Sequence, residues 1–491
     1  MFFAIVSALI LSFAVYLFIG FKLGKSTKGV GDMLPISGGK QASVRNSSEF
    51  SASTVATTIS LATVVVAFYE LVPYFGVWLF WCVLTTSAGI FVVRLIAPKI
   101  WERLSHYKTK PSLHEFLGLE YESDSLALVG AVCTSLGFLG AFAVELTVGS
   151  RFLADLIHGF PQWMIVAILS VVAFVYTSAG GFRAVIVTDK IQMVAIWLLL
   201  IGLSVFTIYF ITSTGGWEIN SAKIPTEVKT FSWRAGLGTF MVGIFIINIF
   251  SYASDMSVWQ RISASEDPKT ILQGLGKSVS ISALTWTILV ALACLVYVAI
   301  TPVAGENPLI TLLAFLGLKM GFFGKIILFL VILGLFGAML STASTQLIAV
   351  SHTIYEDISA KLRKISLANR LESKKELTLS RVLLIYAALV AVIIVEILTY
   401  YGFSVADMVS AVYGAQLGLF PPIILALFLK KEKLKPISNY AKWAIIAGFV
   451  GGWGSEIINK MLEMELAFIS PIISLSVSSL IVLVGLGVRR N

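Results

Sequence analysis

Apolar stretches of helical length recur along almost the whole chain and are separated by short polar segments. About 20 predominantly apolar residues suffice for one helix to cross a bilayer. The pattern therefore predicts an all-α multi-pass membrane protein of about 13 transmembrane helices, without a large soluble domain. The thirteen stretches, each poor in charge, are 2–21, 50–76, 77–98, 125–155, 161–179, 183–213, 236–260, 278–301, 324–355, 379–400, 403–429, 439–459 and 466–488.

Two of these stretches are too polar or too rich in glycine for plain lipid-facing helices. The second contains seven hydroxyl residues: Ser51, Ser53, Thr54, Thr57, Thr58, Ser60 and Thr63. The seventh contains Gly236, Gly238, Gly243, Asn248, Ser251, Ser254 and Asp255. Because they lie five spans apart, they cross the membrane in opposite senses, which is the pattern expected for the binding site of a transporter with inverted halves. The alternative is that hydroxyls and glycines here serve close helix packing.

The ninth stretch has a row of hydroxyls on one helical face. Offsets of three and four place Ala338, Ser341, Thr342 and Thr345 together, with Ser344 beside them. Several neutral oxygens suit a singly charged hard cation better than a divalent one. Alternatively, these hydroxyls bond to carbonyls of their own helix.

Asp189 stands out as an acid inside an otherwise apolar span. It follows Gly181 by eight residues, or about 12 Å along a helix that begins at the cytoplasmic side. At that depth an acid is expected to face a partner or a transport pathway. The alternative is a salt bridge with Lys190 or Arg183.

Composition excludes a soluble enzyme. Of 491 residues, 57% are apolar and 13% charged, with a mean hydropathy of +0.91, whereas soluble proteins carry about 25% charged residues. The three cysteines are scattered and indicate no disulfide framework: they are Cys82, Cys133 and Cys294. The four histidines contain no i, i+4 pair and indicate no zinc site: they are His106, His114, His158 and His352.

The net charge of +9 is explained by membrane orientation. No basic stripe with interleaved aromatic residues favours nucleic acid as a partner. If the first loop is cytoplasmic and the sides alternate, 28 of the 36 basic residues fall on the inner side and seven on the outer side, as the positive-inside bias requires. We therefore predict a plasma-membrane protein with its N-terminus outside and its C-terminus cytoplasmic, in which residues 2–21 are a retained span.

Three motifs together resemble the signature regions of the sodium:solute symporter family. They are the stretch from Tyr176 to Asp189 (YTSAGGFRAVIVTD), the pair Gln260-Arg261, and Ser341-Thr342-Ala343-Ser344 with Glu356-Asp357 downstream. The resemblance implies a LeuT-type fold of two inverted five-helix repeats. On that scheme 1–48 holds an extra N-terminal helix, 49–213 and 236–429 are the repeats, and 430–491 holds two peripheral helices.

The resemblance also implies where sodium binds. A first site would use carbonyl oxygens of Ala56 and Ile59, where residues 56–60 unwind, with the carbonyl of Ala338 and the hydroxyls of Ser341 and Thr342. Some members have a second site, here made from Asp189, Ser341, Ser344 and Thr345. An unwound helix and an ion site should coincide, because freed carbonyls are tolerated in a membrane where they line a cavity or bind an ion.

Substrate would lie beside the ion. By position the candidate residues are Ser60 and Thr63 at the break, Thr85 and Thr86, Glu145, Asn248 and Gln416, each of which could instead make an interhelical hydrogen bond. The third and seventh core helices lack a buried Arg or Lys, and unpaired Glu145 and Asp255 would repel an anion. We therefore expect a small polar solute that is neutral, zwitterionic or cationic.

The sequence thus predicts a sodium-coupled symporter that imports this solute by alternating access. Its expected partners are Na+, a small-molecule substrate and the lipid bilayer, with no nucleic acid, in a monomer or weak homo-oligomer. The alternatives are a solute sensor acting through a separate partner and a proton-coupled symporter. The sequence shows no group of His, Cys or paired carboxylates that would support a membrane enzyme.

Overall fold

The computed structural model describes residues 1–36, 42–157, 159–301, 306–464 and 466–488. Helices form nearly all of this part of the chain. Those of nine residues or more are α1 (Phe2–Gly24), α2 (Ser47–Thr58), α3 (Ala67–Phe75), α4 (Phe80–Ser105), α5 (Leu113–Tyr121), α6 (Asp124–Leu156), α7 (Gln162–Ser213), α8 (Leu237–Ser254), α9 (Met256–Ala264), α10 (Pro268–Cys294), α11 (Pro308–Lys319), α12 (Gly321–His352), α13 (Lys374–Tyr400), α14 (Val405–Ala415), α15 (Phe420–Phe428), α16 (Ser438–Met461) and α17 (Ile469–Val488).

Short helical turns connect the long helices. The α-helical ones are Val30–Met33, Gly216–Ser221, Thr226–Lys229, Val296–Ala299, Leu367–Leu371 and Lys431–Leu434; π-helical turns are Leu61–Val66 and Thr353–Ala360; 3₁₀ turns are Gly76–Leu79, Gln416–Leu419 and Lys435–Ile437. The helices α5 and α11 lie between the predicted stretches and were not expected from the pattern.

The prediction of an all-α multi-pass membrane protein is confirmed. Ten helical segments of the described chain are long and apolar enough to cross a membrane. One of them, α7, has 52 residues and is interrupted at Gly181, so it contains two of the predicted stretches. The helix α16 is not among the ten. The count of thirteen spans stays a prediction.

Gly181 makes the kink in α7. Its φ of 62° and ψ of −158° are accessible to glycine and strained for other residues. A Cβ here would also lie 2.5 Å from the carbonyl oxygen of Met33. Both the conformation and the close approach therefore require glycine.

Close packing of α12 on α7 brings together the two helices that carry Asp189 and the hydroxyl row. At Gly334 on α12, an added Cβ would lie 2.3 Å from Cβ of Leu199 on α7. Small residues allow membrane helices to approach in this way. The helix α1 packs along both and exposes its other face, including Phe3 and Phe18, as a lipid-facing helix should.

Both predicted helix breaks are present. Between α2 and the π-helical turn, Ile59 (φ −102°, ψ 73°) and Ser60 (φ −75°, ψ 149°) leave the helix. Between α8 and α9, Asp255 (φ −76°, ψ 117°) does the same. Each predicted repeat thus contains one break, while the repeat boundaries themselves stay predictions.

The first break is narrower than the predicted unwinding of residues 56–60. The helix α2 continues to Thr58, so Ala56 lies in its last turn. The hydroxyl of Thr57 donates to the carbonyl of Ser53 at 2.8 Å, and that of Thr58 donates to the carbonyl of Val55 at 2.8 Å. These bonds satisfy carbonyls of the last turn and keep it helical.

Candidate functional site

The hydroxyl row of α12 lies against the carbonyl end of α2. The Oγ1 of Thr342 is 3.5 Å from the carbonyl oxygen of Thr57 and 3.2 Å from that of Ala338, to which it donates. Ala56, Ile59 and Ala338 are fully buried. Carbonyls in the last turn of a helix have no N–H partner within the helix. At this junction such main-chain oxygens of α2 lie beside hydroxyl oxygens of α12. The contact to Thr57 was not predicted.

Asp189 accepts two hydroxyl hydrogen bonds in the interior. Ser341 Oγ donates to its Oδ1 at 2.7 Å, and Ser53 Oγ donates to its Oδ2 at 2.5 Å. The side chain is fully buried. Asp189 therefore joins α7 to α2 and α12 and faces partners within the protein, which is one of the two expectations for an acid at that depth.

The alternative partners of Asp189 lie elsewhere. Both terminal nitrogens of Arg183 bond to the carboxylate of Glu49, at 2.6 and 2.8 Å. Lys190 is exposed. The salt bridge of Asp189 with Arg183 or Lys190 is therefore wrong, because the bend at Gly181 directs Arg183 toward the start of α2.

Arg261 on α9 belongs to a signature motif named above, but its place in the site was not predicted. Its Nε donates to Ser53 Oγ at 2.9 Å, and its Nη2 lies 3.3 Å from the hydroxyls of both Thr57 and Thr345. The side chain is buried. The predicted second sodium site, which includes Thr345, thus borders a protein cation. Another hydroxyl of that predicted site, that of Ser344, donates to the carbonyl of Ser341 at 3.1 Å.

Glu145 caps the helical segment that follows the first break. It accepts a hydrogen bond from the hydroxyl of Ser60 and lies 3.4 Å from the backbone nitrogen of Ala62, which donates to it. Ser60 in turn accepts from the backbone N–H of Thr63 at 2.9 Å. A carboxylate at a helix N-terminus is stabilised by free N–H groups and by the helix dipole.

Asp255 has the same role at the second break. Its Oδ1 accepts from the backbone N–H groups of Ser257 at 2.6 Å and Val258 at 3.3 Å. Both carboxylates are thus held by hydrogen bonds at helix N-termini, and these bonds do not remove their negative charge. The prediction that they disfavour an anion therefore stays a prediction.

A cavity of about 150 Å³ lies between the two breaks. Of the predicted substrate residues, Thr63, Asn248 and Gln416 line it. The others, Ser60, Thr85, Thr86 and Glu145, lie outside its lining, and Thr85 instead accepts a hydrogen bond from Asn248 Nδ2 at 2.9 Å. Thr342 and Thr345 also line the cavity, so the hydroxyl row adjoins it.

The described lining carries one charge of each sign, Asp255 and Arg261. Arg261 was not among the basic residues considered on the third and seventh core helices, because it lies on α9 after the second break. The described part of the cavity wall thus carries no net formal charge.

The two ends of the molecule differ. On one side of α3, Glu70 and Pro73 face a second cavity of about 1190 Å³, at the end that carries the predicted extracellular loops. At the opposite end the Arg183–Glu49 pair joins α7 to α2. There Lys110 donates to the carbonyl of Ser263 at 3.1 Å, and burial lowers the pKa of Lys110 to about 8.

Known proteins are similar to this chain in sequence and in architecture. The chain is 26% identical over 298 residues to the high-affinity proline transporter PutP of Bacillus subtilis, covering 59% of this chain and 58% of that protein. It is 22% identical over 367 residues to the sodium/sialic acid symporter NanT of Aliivibrio fischeri, covering 70% and 68%. The chain thus spans less than two thirds of the length of the proline transporter.

A solved structure of a Na+-coupled sialic acid symporter, in a substrate-bound outward-open state, has the same fold. It superposes with a TM-score of 0.75 at 20% identity, covering 99% of this chain and 98% of the other. The LeuT-type fold predicted from the sequence is confirmed. The model of the sodium:solute symporter family matches residues 31–448, and the chain therefore belongs to this family of secondary transporters, which are not enzymes.

Proposed function

We propose that this protein is a sodium-coupled symporter that imports a small polar solute of no net charge by alternating access. The junction of α2 and α12 carries the proposal. Thr342 both faces the carbonyl of Thr57 and lines the central cavity. A cation held there would touch the helix break and the cavity wall at once, so ion and solute would stabilise the same state.

The first sodium ion would bind carbonyl oxygens at the end of α2 and hydroxyl oxygens of α12, with Ala56, Ile59, Ala338, Ser341 and Thr342 as ligands. Sodium is a hard cation that takes oxygen ligands, as calcium and magnesium do. A second ion would use Asp189, Ser341, Ser344 and Thr345. The hydrogen bonds that Asp189 accepts from Ser53 and Ser341 would have to rearrange for that ion to bind.

A zwitterion fits the cavity best. One acid and one base face it, Asp255 and Arg261, so a solute with both charges can find a partner for each. A cavity of about 150 Å³ holds a ligand of roughly the size of benzene. Proline, the substrate named for one relative, is closer to that size than sialic acid, named for another.

The asymmetry of the two ends supports alternating access. The larger cavity at the predicted outer end and the ion pair at the predicted inner end are what an outward-facing carrier requires. Sodium and solute would enter from outside, and both would leave when the inner contacts separate. The N-terminus would lie outside, the C-terminus in the cytoplasm, and the membrane would be the plasma membrane.

Uptake into proteoliposomes tests this proposal. The labelled solutes are L-proline, pantothenate, sialic acid and urea, each measured with an inward sodium gradient, with an inward proton gradient and with neither. We expect accumulation of L-proline or another small neutral or zwitterionic solute under the sodium gradient. Uptake that ignores sodium but follows protons would contradict sodium coupling, and binding without any flux would indicate a sensor.

A further inference from the structure

Two buried polar atoms of residues that line the central cavity have no hydrogen-bond partner within the described part of the chain. They are the indole Nε1 of Trp286 and the amide Oε1 of Gln346, and both residues line the cavity. We propose that these two atoms are the substrate contacts that determine which solute is bound. The inference rests on the proposed function and adds a specificity determinant to it.

Trp286 on α10 differs from Trp259, the other buried tryptophan among the described residues, in having no acceptor for its indole N–H. The indole N–H groups of Trp78, Trp81 and Trp259 donate to backbone carbonyls, at 3.1, 2.9 and 2.9 Å. The ring of Trp286 is held edge to face against Phe68, with centroids 5.5 Å apart, and is 6% exposed. Buried indole N–H groups usually find an acceptor, so this fixed donor is left for a ligand.

Gln346 on α12 presents the matching acceptor. Its Nε2 donates to the hydroxyl of Tyr413 on α14 at 2.9 Å, which fixes the amide, and the side chain is 3% exposed. Its Oε1 is buried and has no hydrogen-bond partner among the described residues. Buried polar groups without a partner are rare in native structures, and each requires an explanation.

A solute that satisfies both atoms must carry a hydrogen-bond acceptor and a donor. A small amino acid meets this requirement, because its carboxylate accepts from the Trp286 indole and its ammonium donates to the Gln346 carbonyl. A site built to pair buried polar groups rejects analogues that lack the matching group much more strongly than an apolar pocket does. We therefore assign to Trp286 and Gln346 the discrimination between amino acids and equally small solutes with one polar end.

Conservative variants test these contacts. Trp286→Phe retains an aromatic ring and removes the N–H, while Gln346→Met retains the length and removes the amide. Trp81→Phe is the matched control, because the indole of Trp81 donates to the carbonyl of Met241 and lies outside the cavity lining. The readouts are the KM for L-proline and the sodium concentration for half-maximal uptake.

We expect Trp286→Phe and Gln346→Met each to raise the KM about tenfold, as the loss of one hydrogen bond to a charged group predicts. Their half-maximal sodium concentration should stay within about twofold of the wild type, because the ion contacts other residues. The control should match the wild type in both. An unchanged KM in Trp286→Phe and Gln346→Met would overturn the proposal.

A binding measurement separates this proposal from the proposed function. The purified proteins are heated in detergent with sodium and each of the standard amino acids. Stabilisation of the wild type that disappears in Trp286→Phe supports the contacts even without flux. Stabilisation that survives in both variants overturns them, and a wild type that no amino acid stabilises overturns the substrate class itself.

Discussion

Two neighbouring hydroxyl residues on one turn of α12 make different contacts. Ser341 donates to Asp189 on α7, whereas Thr342 faces the end of α2 and the cavity. Ser341 is therefore a link between the two proposed ion sites, and Thr342 belongs to the first site alone. Substitutions at the two positions should separate these contributions.

Thr342→Ala should raise the sodium concentration for half-maximal uptake by about tenfold or more, because one oxygen ligand is removed from a site of few ligands. Thr207→Ala is the control, since the hydroxyl of Thr207 donates to a carbonyl of its own helix at 2.8 Å, away from the site. Sodium dependence of uptake measures both. An unchanged sodium requirement in Thr342→Ala would refute the assignment of the first site.

We expect the hydrogen bonds that Glu145 accepts to contribute more to stability than its negative charge. Glu145→Gln retains an acceptor for Ser60 and Ala62, whereas Glu145→Ala leaves both groups buried without one. We expect Glu145→Ala to lose about 1–2 kcal/mol of stability, as for a lost helix cap, and Glu145→Gln to lose much less. Thermal unfolding in detergent distinguishes them, and equal damage by both variants would show that the negative charge itself is required.

Sequence could identify Asp189 as an important residue but not its partners. Ser53 lies 136 residues away in the chain, and no local pattern connects the two positions. The place of Arg261 in the site was missed for a different reason. Arg261 lies near the predicted inner end of a span, where a basic residue is already explained by membrane orientation.

At the scale of elements, the helix breaks were predictable because the two stretches are too polar or too rich in glycine for plain lipid-facing helices. The exact end of α2 was not predictable, since it depends on the hydroxyl bonds of Thr57 and Thr58 to the preceding turn. Likewise, the pattern of α7 shows two apolar stretches around Gly180-Gly181, but not which glycine has a positive φ. The backbone places it at Gly181.

Gly181→Ala should destabilise the protein by more than about 1 kcal/mol, because its backbone would be strained and its Cβ would meet Met33. Gly454→Ala on α16 is the control, since an added Cβ there meets nothing within 4 Å. Thermal unfolding in detergent measures both. Equal stability of the two variants would contradict the requirement for glycine at the kink.

At the scale of the whole molecule, composition predicted the class of protein, which is confirmed, and the distribution of charge predicted an orientation, which stays a prediction. The sequence could not show that the cavity wall carries one charge of each sign, because the second helix break brings Asp255 and Arg261 to the same cavity. Two basic residues of the predicted cytoplasmic C-terminus, Arg489 and Arg490, lie outside the described part of the chain. Lys40 and His158 also lie outside it.

Cysteine labelling tests the orientation. The three native cysteines are buried, so an exposed engineered cysteine should dominate the reaction with an impermeant maleimide. Trp233→Cys, in a predicted outer loop, should react in intact cells, and Leu362→Cys, in a predicted inner loop, should react after permeabilisation; both native side chains are exposed. The reverse pattern would contradict the predicted topology.

The central claim is that a sodium gradient drives solute movement through this protein. The most direct measurement is uptake of labelled L-proline and the other test solutes into proteoliposomes, with the membrane potential clamped at zero and sodium either equal on both sides or higher outside. The account predicts concentrative uptake with the gradient, equilibration without it, and a much higher sodium requirement in Thr342→Ala. Concentrative uptake that persists when sodium is absent from both sides would contradict it.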